Sequence, residues 1–168
     1  QLVPNIPVKT LHWFFRNTKF ENPLVVKEVG ETEEGKFYIH NRFNFSSNVN
    51  FDQLNTFFDP VMDKARFYIK GNQLPNITSS DHTYFKYYVP YEKRLSRPIR
   101  NIYSYAFSMH PVNVQPSGSL DFSQLESNKT TIECDLLPTS EEYSLHMYYT
   151  GYETFKFENG FMSRAYSP

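Results

Sequence analysis

Apolar and polar residues alternate with a period of two along several stretches of the chain, the spacing of a strand with one buried face. In "PVKTLHWFFR" (7–16), Val8, Leu11, Trp13 and Phe15 fall close to one face, with Phe14 out of phase. "GKFYIHNRFNF" (35–45) puts Phe37, Ile39, Phe43 and Phe45 on one side and Lys36, Tyr38, His40 and Arg42 on the other. In "KARFYIKGNQL" (64–74), Ala65, Phe67 and Ile69 point inward, and the run stops at Gly71-Asn72, which reads as a turn. "TYFKYYVP" (83–90) and "IRNIYSYAFSMHP" (99–111) read as strands bounded by proline, the second with Ile102 and Ala106 inward. "TTIECDLL" (130–137) aligns Ile132, Cys134 and Leu136. "EEYSLHMYYTGYETFKFENG" (141–160) reads as two strands meeting near Gly151, with Tyr143, Leu145, Met147 and Tyr149 on one face, and "FMSRAYSP" adds a short strand.

The pattern predicts roughly seven to nine strands. Long loops separate them at 17–34, 46–63, 71–82 and 111–129, with helix limited to short turns within 50–59 and 121–127. Strands so spaced, with one face apolar, fit an all-β sandwich or jelly roll. A parallel α/β sheet would need intervening amphipathic helices, and the pattern contains none.

Composition supports this. Aromatic residues make up 18 % of 168 positions, with 16 Phe and 13 Tyr, and six Gly and 11 Pro punctuate them. That mixture favours strands and turns over helices. The length suits one domain with one sizeable core. Seventeen basic against 18 acidic residues leave no bulk field for nucleic acid or an anionic membrane. No apolar stretch is long enough for a membrane helix. A lone Cys134 excludes an intrachain disulfide framework. A chain opening on Gln1, without a leader, reads as a processed product or part of a longer polypeptide. Sequons at Asn44, Asn76 and Asn128 are taken as chance matches in an Asn- and Ser-rich chain.

Candidate chemistry is sparse. His12, His40, His82, His110 and His146 lie on different elements without metal-ligand spacing, so no cofactor or metal is expected. Ser117 sits in "PSGS", which is not a nucleophile elbow. Cys134 faces the expected core as a small hydrophobe. Glu33-Glu34 and Glu141-Glu142 read as solvated charge. The basic run "YEKRLSRPIR" (91–100) supplies Lys93, Arg94, Arg97 and Arg100, which read as a protein–protein seam or a solvated loop rather than a phosphate site, and are the candidate interface residues. No catalytic set emerges, and the chain reads as a non-enzyme.

One polar stretch, "NVQPSGSLDFSQLES" (113–127), gathers no chemistry yet is tightly punctuated. With its preceding strand, "IYSYAFSMHPVNVQPSGSLDFSQLES" (102–127) resembles the C-terminal jelly roll of the major capsid proteins of nucleocytoplasmic large DNA viruses. Gln115, Pro116, Ser117, Gly118 and Ser119, then Leu120 and Phe122, carry the likeness. Asp121 stands where the family usually has Asn, and Gln124 where it usually has Arg. "IPVKTLHWFFRN" (6–17), "ARFYIKGNQL" (65–74), "YFKYYVPYEKRLSRP" (84–98) and "YYTGYETFKFENGFMSRAYSP" (148–168) match further family segments in the same order, although Gly71-Asn72 looks like the family's Asn-Gly reversed.

The resemblance implies a double jelly-roll subunit, three of which make a pseudo-hexagonal capsomer of an icosahedral shell. On it, residues 1–168 are most of the C-terminal barrel, lacking its first strand or strands. The N-terminal barrel lies outside this chain, in the same or a separate polypeptide. Expected partners are further copies of itself, that N-terminal half, and minor capsid and penton proteins, without direct nucleic-acid contact. The expected location is the virion shell, assembled in the host cytoplasm. A minor capsid, penton or scaffold protein of the same fold, a receptor- or carbohydrate-binding jelly roll, and a cupin-like metal enzyme remain as alternatives. The turn at 115–119 is expected to fix the chain path at low conformational cost. The interior is expected to contain Trp13, Phe37, Ile39, Phe67, Ile69, Ile102, Ala106, Ile132, Cys134, Leu145 and Met147. Unpaired strand edges are expected around Val8, Leu11 and Trp13, making the chain alone prone to aggregate.

Overall fold

In a computed structural model the described residues are 6–21, 26–32, 35–40, 42–47, 58–74, 80–122, 125 and 130–165, with the backbone alone described at 26–32, 35–40 and 130. In chain order the strands are β1 (Pro7–Asn17), β2 (Val26–Thr32), β3 (Gly35–His40), β4 (Met62–Ile69), β5 (Asn72–Leu74), β6 (Tyr103–Ala106), β7 (Leu120–Asp121), β8 (Thr130–Leu136), β9 (Tyr143–Gly151), β10 (Phe155–Glu158) and β11 (Phe161–Arg164). A helical segment runs from a π-helical turn at Tyr84–Tyr88 into α1 (Val89–Glu92).

Strand β1 is the centre of the largest sheet. Strand β9 pairs antiparallel along one edge, and β6 and β7 share the other in succession. The expected exposed edge at Val8, Leu11 and Trp13 is therefore absent: all three are at most 1 % exposed, with β1 paired on both sides. Between Val8 and Thr10 the register against β9 slips by one residue. This bulge re-phases the strand, so Val8 joins the same buried cluster as Leu11, Trp13 and Phe15 despite its sequence parity. The other face is covered too. Phe14 stacks on Phe45 at 4.1 Å and on His146 at 5.2 Å, which is why it disturbs a simple alternation.

A second sheet has the order β5-β4-β8. Ile69 pairs with Asn72, so the turn residues are Lys70 and Gly71, with φ of 51° and 82°. The turn thus lies one residue earlier than expected. Glycine occupies its second position, as in an Asn-Gly turn, so the apparent reversal is a shift of register. Residues of both sheets, the helical segment and Phe122 form one core, in which Trp13 meets Phe67 and Phe85 edge-on at 5.5 and 5.2 Å. Two hairpins, β2–β3 and β10–β11, complete the described strands, and no sheet closes on itself among the described residues.

Several expectations need correction. Residues 83–90 are helical, not a strand. The Asp81 carboxylate accepts hydrogen bonds from the Thr83 hydroxyl (2.7 Å) and the Tyr84 amide (2.9 Å), capping the segment's start. Phe85, Lys86, Val89 and Pro90 are then buried on one helical face. In β6 the inward phase is opposite to that expected. Tyr103 is fully buried and Tyr105 and Phe107 pack on the core, whereas Ile102 and Ala106 are half-buried outside it. Leu145 is 41 % exposed because β9 is covered only in part, while Met147, Ile132 and Cys134 pack against the core and Ile69 is half-buried. Strand β3 ends at His40, so Phe43 lies in a turn, 62 % exposed. The side chains of Phe37 and Ile39 lie outside the described residues. So does most of 50–59. Strand β2 occupies part of the expected 17–34 loop.

Candidate functional site

The segment 107–122 is a loop whose two ends are fastened to β1. The Phe107 amide donates to the Lys9 carbonyl at 2.9 Å, and Leu120 pairs with Val8. Within it, the Ser117 hydroxyl accepts from the His110 amide (2.9 Å) and the Ser117 carbonyl from the Met109 amide (3.1 Å). Gly118, at φ 115°, turns the chain back, a conformation a side chain disfavours. Phe122 then enters the core, 5.7 Å from the Phe107 ring. Gln115, Pro116 and Ser119 stay on the surface, and the tip exposes Val112 and Val114, the latter at 99 %.

The four basic candidates do not form one patch. Lys93 lies 3.4 Å from Glu92, and with Arg94 it lines a cleft against Met109, His110, Val112 and Asn113. The Arg97 guanidinium sits over the Tyr87 ring at 4.9 Å. Arg100 turns the other way and donates to the Phe43 carbonyl. What gathers instead is aromatic. Tyr84, Tyr87, Tyr88 and Tyr91, with Asp81, Thr83 and Arg97, line an open trough of about 700 Å³. The strand assignment at 83–90 concealed this trough, since only a helix brings Tyr84, Tyr88 and Tyr91 to one side; Tyr84 and Tyr88 stack at 5.3 Å. Beneath it Lys86 is buried, donating to Asn101 Oδ1 at 2.5 Å and lying against the Phe58 and Tyr87 rings.

Reactive groups are held in unreactive states. Burial pushes the Cys134 thiol up to about 12, with Asp135 adding to the effect. Burial lowers the His12 pKa, and its Nδ1 lies 2.9 Å from the Ser104 hydroxyl. His146 Nε2 lies 3.1 Å from the Glu21 carboxylate. No three His, Cys, Asp or Glu side chains among the described residues are placed to share a metal ion. Asn44, the described sequon residue, is buried, with Oδ1 accepting from the Ser46 amide and hydroxyl. Asn76 and Asn128 lie outside the described residues.

A second surface has no counterpart among the expectations. Strands β10 and β11 pair only with each other among the described residues, and all eight of their residues are exposed. Phe155 and Phe157 share a face with Met162, opposite the Lys156–Glu158 ion pair.

Residues 1–162 match the family model described as large eukaryotic DNA virus major capsid protein. The chain belongs to that family. Solved capsid chains share its fold. A quasi-atomic model of the PBCV-1 virus capsid superposes with a TM-score of 0.68 at 19 % identity, covering 99 % of this chain and 45 % of that one. PBCV-1 VP54, fitted into a reconstruction of the virophage Sputnik, gives 0.67 at 19 % identity and the same coverage. The Faustovirus major capsid protein gives 0.52 at 12 %, covering 86 % of this chain and 29 % of that one. The chain therefore spans less than half the length of these capsid proteins. No curated protein matches it.

Proposed function

We propose that this member of the capsid family is a structural, non-enzymatic part of a major capsid subunit that trimerises into capsomers and builds the icosahedral shell of a large DNA virus. The observation that carries the reading is the family match over 1–162, on a fold shared with the PBCV-1 capsid chain. On this reading the chain is the C-terminal jelly roll of a double jelly roll, missing its first strand or strands. The N-terminal half belongs to the same or a separate polypeptide, and minor capsid and penton proteins are neighbours in the shell. The tyrosine trough with Arg97 and the apolar loop tip at Val112 and Val114 have the composition of subunit seams. Mass spectrometry of intact virions tests the reading: peptides from 1–168 should rank among the most abundant, within a polypeptide of fixed length. Their absence from virions would refute it.

A second reading rests on the trough alone. Exposed tyrosines flanked by Asp81 and Arg97 are also what a carbohydrate-binding jelly roll would present. A glycan array distinguishes the two: binding lost in Tyr88→Ala and Tyr91→Ala would favour recognition over construction.

A further inference from the structure

The core is built from one side of the helical segment, through Phe85, Lys86, Val89 and Pro90, and leaves its tyrosines to the trough. Tyr87, Tyr88 and Tyr91 are 36 %, 54 % and 86 % exposed. Two opposite charges share the trough with them. Burial works against the Asp81 carboxylate, but hydrogen bonds from the Thr83 hydroxyl and the Tyr84 amide hold its pKa below the ordinary value, so it is ionised at neutral pH. The Arg97 guanidinium sits over the Tyr87 ring at 4.9 Å, and a guanidinium stacked on a ring keeps its in-plane N–H donors available. Neither charge has an ion-pair partner among the described residues.

These three features together select a ligand. A lone cation would meet Arg97, a lone anion would meet Asp81, and a neutral sugar would stack on the rings while leaving both charges unpaired. A quaternary ammonium joined to a phosphate satisfies all of them. The tyrosine faces attract the alkylated cation, the Asp81 carboxylate balances it, and the edge of Arg97 takes the phosphate. We infer that the trough binds the phosphocholine headgroup of a membrane lipid, met at the surface of a bilayer. The trough is open, with Tyr91 standing at its rim, and tyrosine settles at the headgroup level of a bilayer. A zwitterionic surface also demands no bulk positive field, and the chain, at net charge −1, has none. The inference goes beyond the capsid reading and stands independently of it, giving the trough a ligand where that reading gives it only the composition of a seam.

Flotation of the chain with lipid vesicles tests the inference. The chain should float with vesicles of phosphatidylcholine, and free phosphocholine should release it. Vesicles of phosphatidylethanolamine, whose headgroup keeps both charges but lacks the methyl groups, should hold it roughly tenfold more weakly. The double substitution Tyr88→Ala, Tyr91→Ala should weaken binding roughly tenfold, whereas Tyr88→Phe, Tyr91→Phe keeps the ring faces and should retain it. Asp81→Asn removes the charge while its side-chain oxygen still caps the segment, and should weaken binding by a similar factor. An unchanged unfolding transition, followed through the single tryptophan Trp13, shows that each variant keeps its fold. Failure to bind phosphatidylcholine vesicles overturns the inference. So does equal or tighter binding to vesicles of phosphatidylglycerol, which marks a general electrostatic attachment. Release by a neutral oligosaccharide but not by phosphocholine overturns it in favour of the glycan reading. Binding of free phosphocholine without attachment to vesicles overturns it by removing the bilayer. The capsid reading is decided separately, by the composition of virions.

Discussion

Trp13 and Tyr103 are directly paired across β1 and β6, with ring centroids 5.9 Å apart, and neither is exposed. The indole Nε1 has no hydrogen-bond partner, and the phenol oxygen faces the backbone of Val61 and Met62 without a well-formed hydrogen bond. The pair stabilises mainly through packing. Trp13→Ala should cost about 3–5 kcal/mol in urea unfolding. Tyr103→Phe, which keeps the ring and removes a buried hydroxyl that makes no well-formed hydrogen bond, should be close to neutral. A loss of 1 kcal/mol or more, the worth of a hydrogen bond, would mean that the hydroxyl is satisfied.

His12 makes stability depend on pH. Burial holds its folded-state pKa below the ordinary 6.5, so the folded chain takes up a proton less readily than the unfolded one. The contribution is complete above 6.5 and is lost as pH falls from there through the depressed folded value. Urea midpoints at pH 8 and pH 5.5 should differ more for the native chain than for His12→Gln. Equal slopes would remove His12 from the account.

Cys134 should resist thiol reagents. With its pKa pushed up to about 12, almost no thiolate exists at pH 8. Labelling by an aromatic disulfide reagent should follow global unfolding and accelerate in denaturant. Fast stoichiometric labelling of the native chain would contradict its placement.

Two turn and contact positions should respond in opposite directions. A Cβ at Gly151 would collide with the Pro7 carbonyl oxygen and lie 2.8 Å from Ile6 Cδ1, so Gly151→Ala should cost about 1–3 kcal/mol. Lys70 holds φ 51° in a two-residue hairpin, where asparagine is better tolerated. Lys70→Asn should stabilise by about 0.5 kcal/mol. Thermal melts of both variants check the pair.

What the sequence made legible was decided by how local the physics is. Strands β1 and β4 were readable because their inward residues are large, apolar and mostly in phase. The helix at 84–92 was not. Its Tyr and Phe are strand formers in isolation, and the Phe85–Val89 spacing gains meaning only once Asp81 caps the segment. In β6, Ile102 and Ala106 looked more inward than tyrosine, but the core needed the rings of Tyr103 and Tyr105 opposite Trp13 and Phe67. The trough and the β10–β11 hairpin were invisible for another reason. Exposure is a property of what lies opposite, and no local pattern records it.

The loop 107–122 begins and ends on neighbouring residues of one strand, Lys9 and Val8. It is therefore a handle whose two roots coincide, and its length is decoupled from the wall that carries it. Lengthening such a closed excursion costs only about 0.6 kcal/mol per doubling. A foreign peptide placed between Asn113 and Val114 would be displayed without moving Trp13 or Tyr103. The same geometry would let related chains vary their outline by changing this one excursion while the sheet beneath keeps its register.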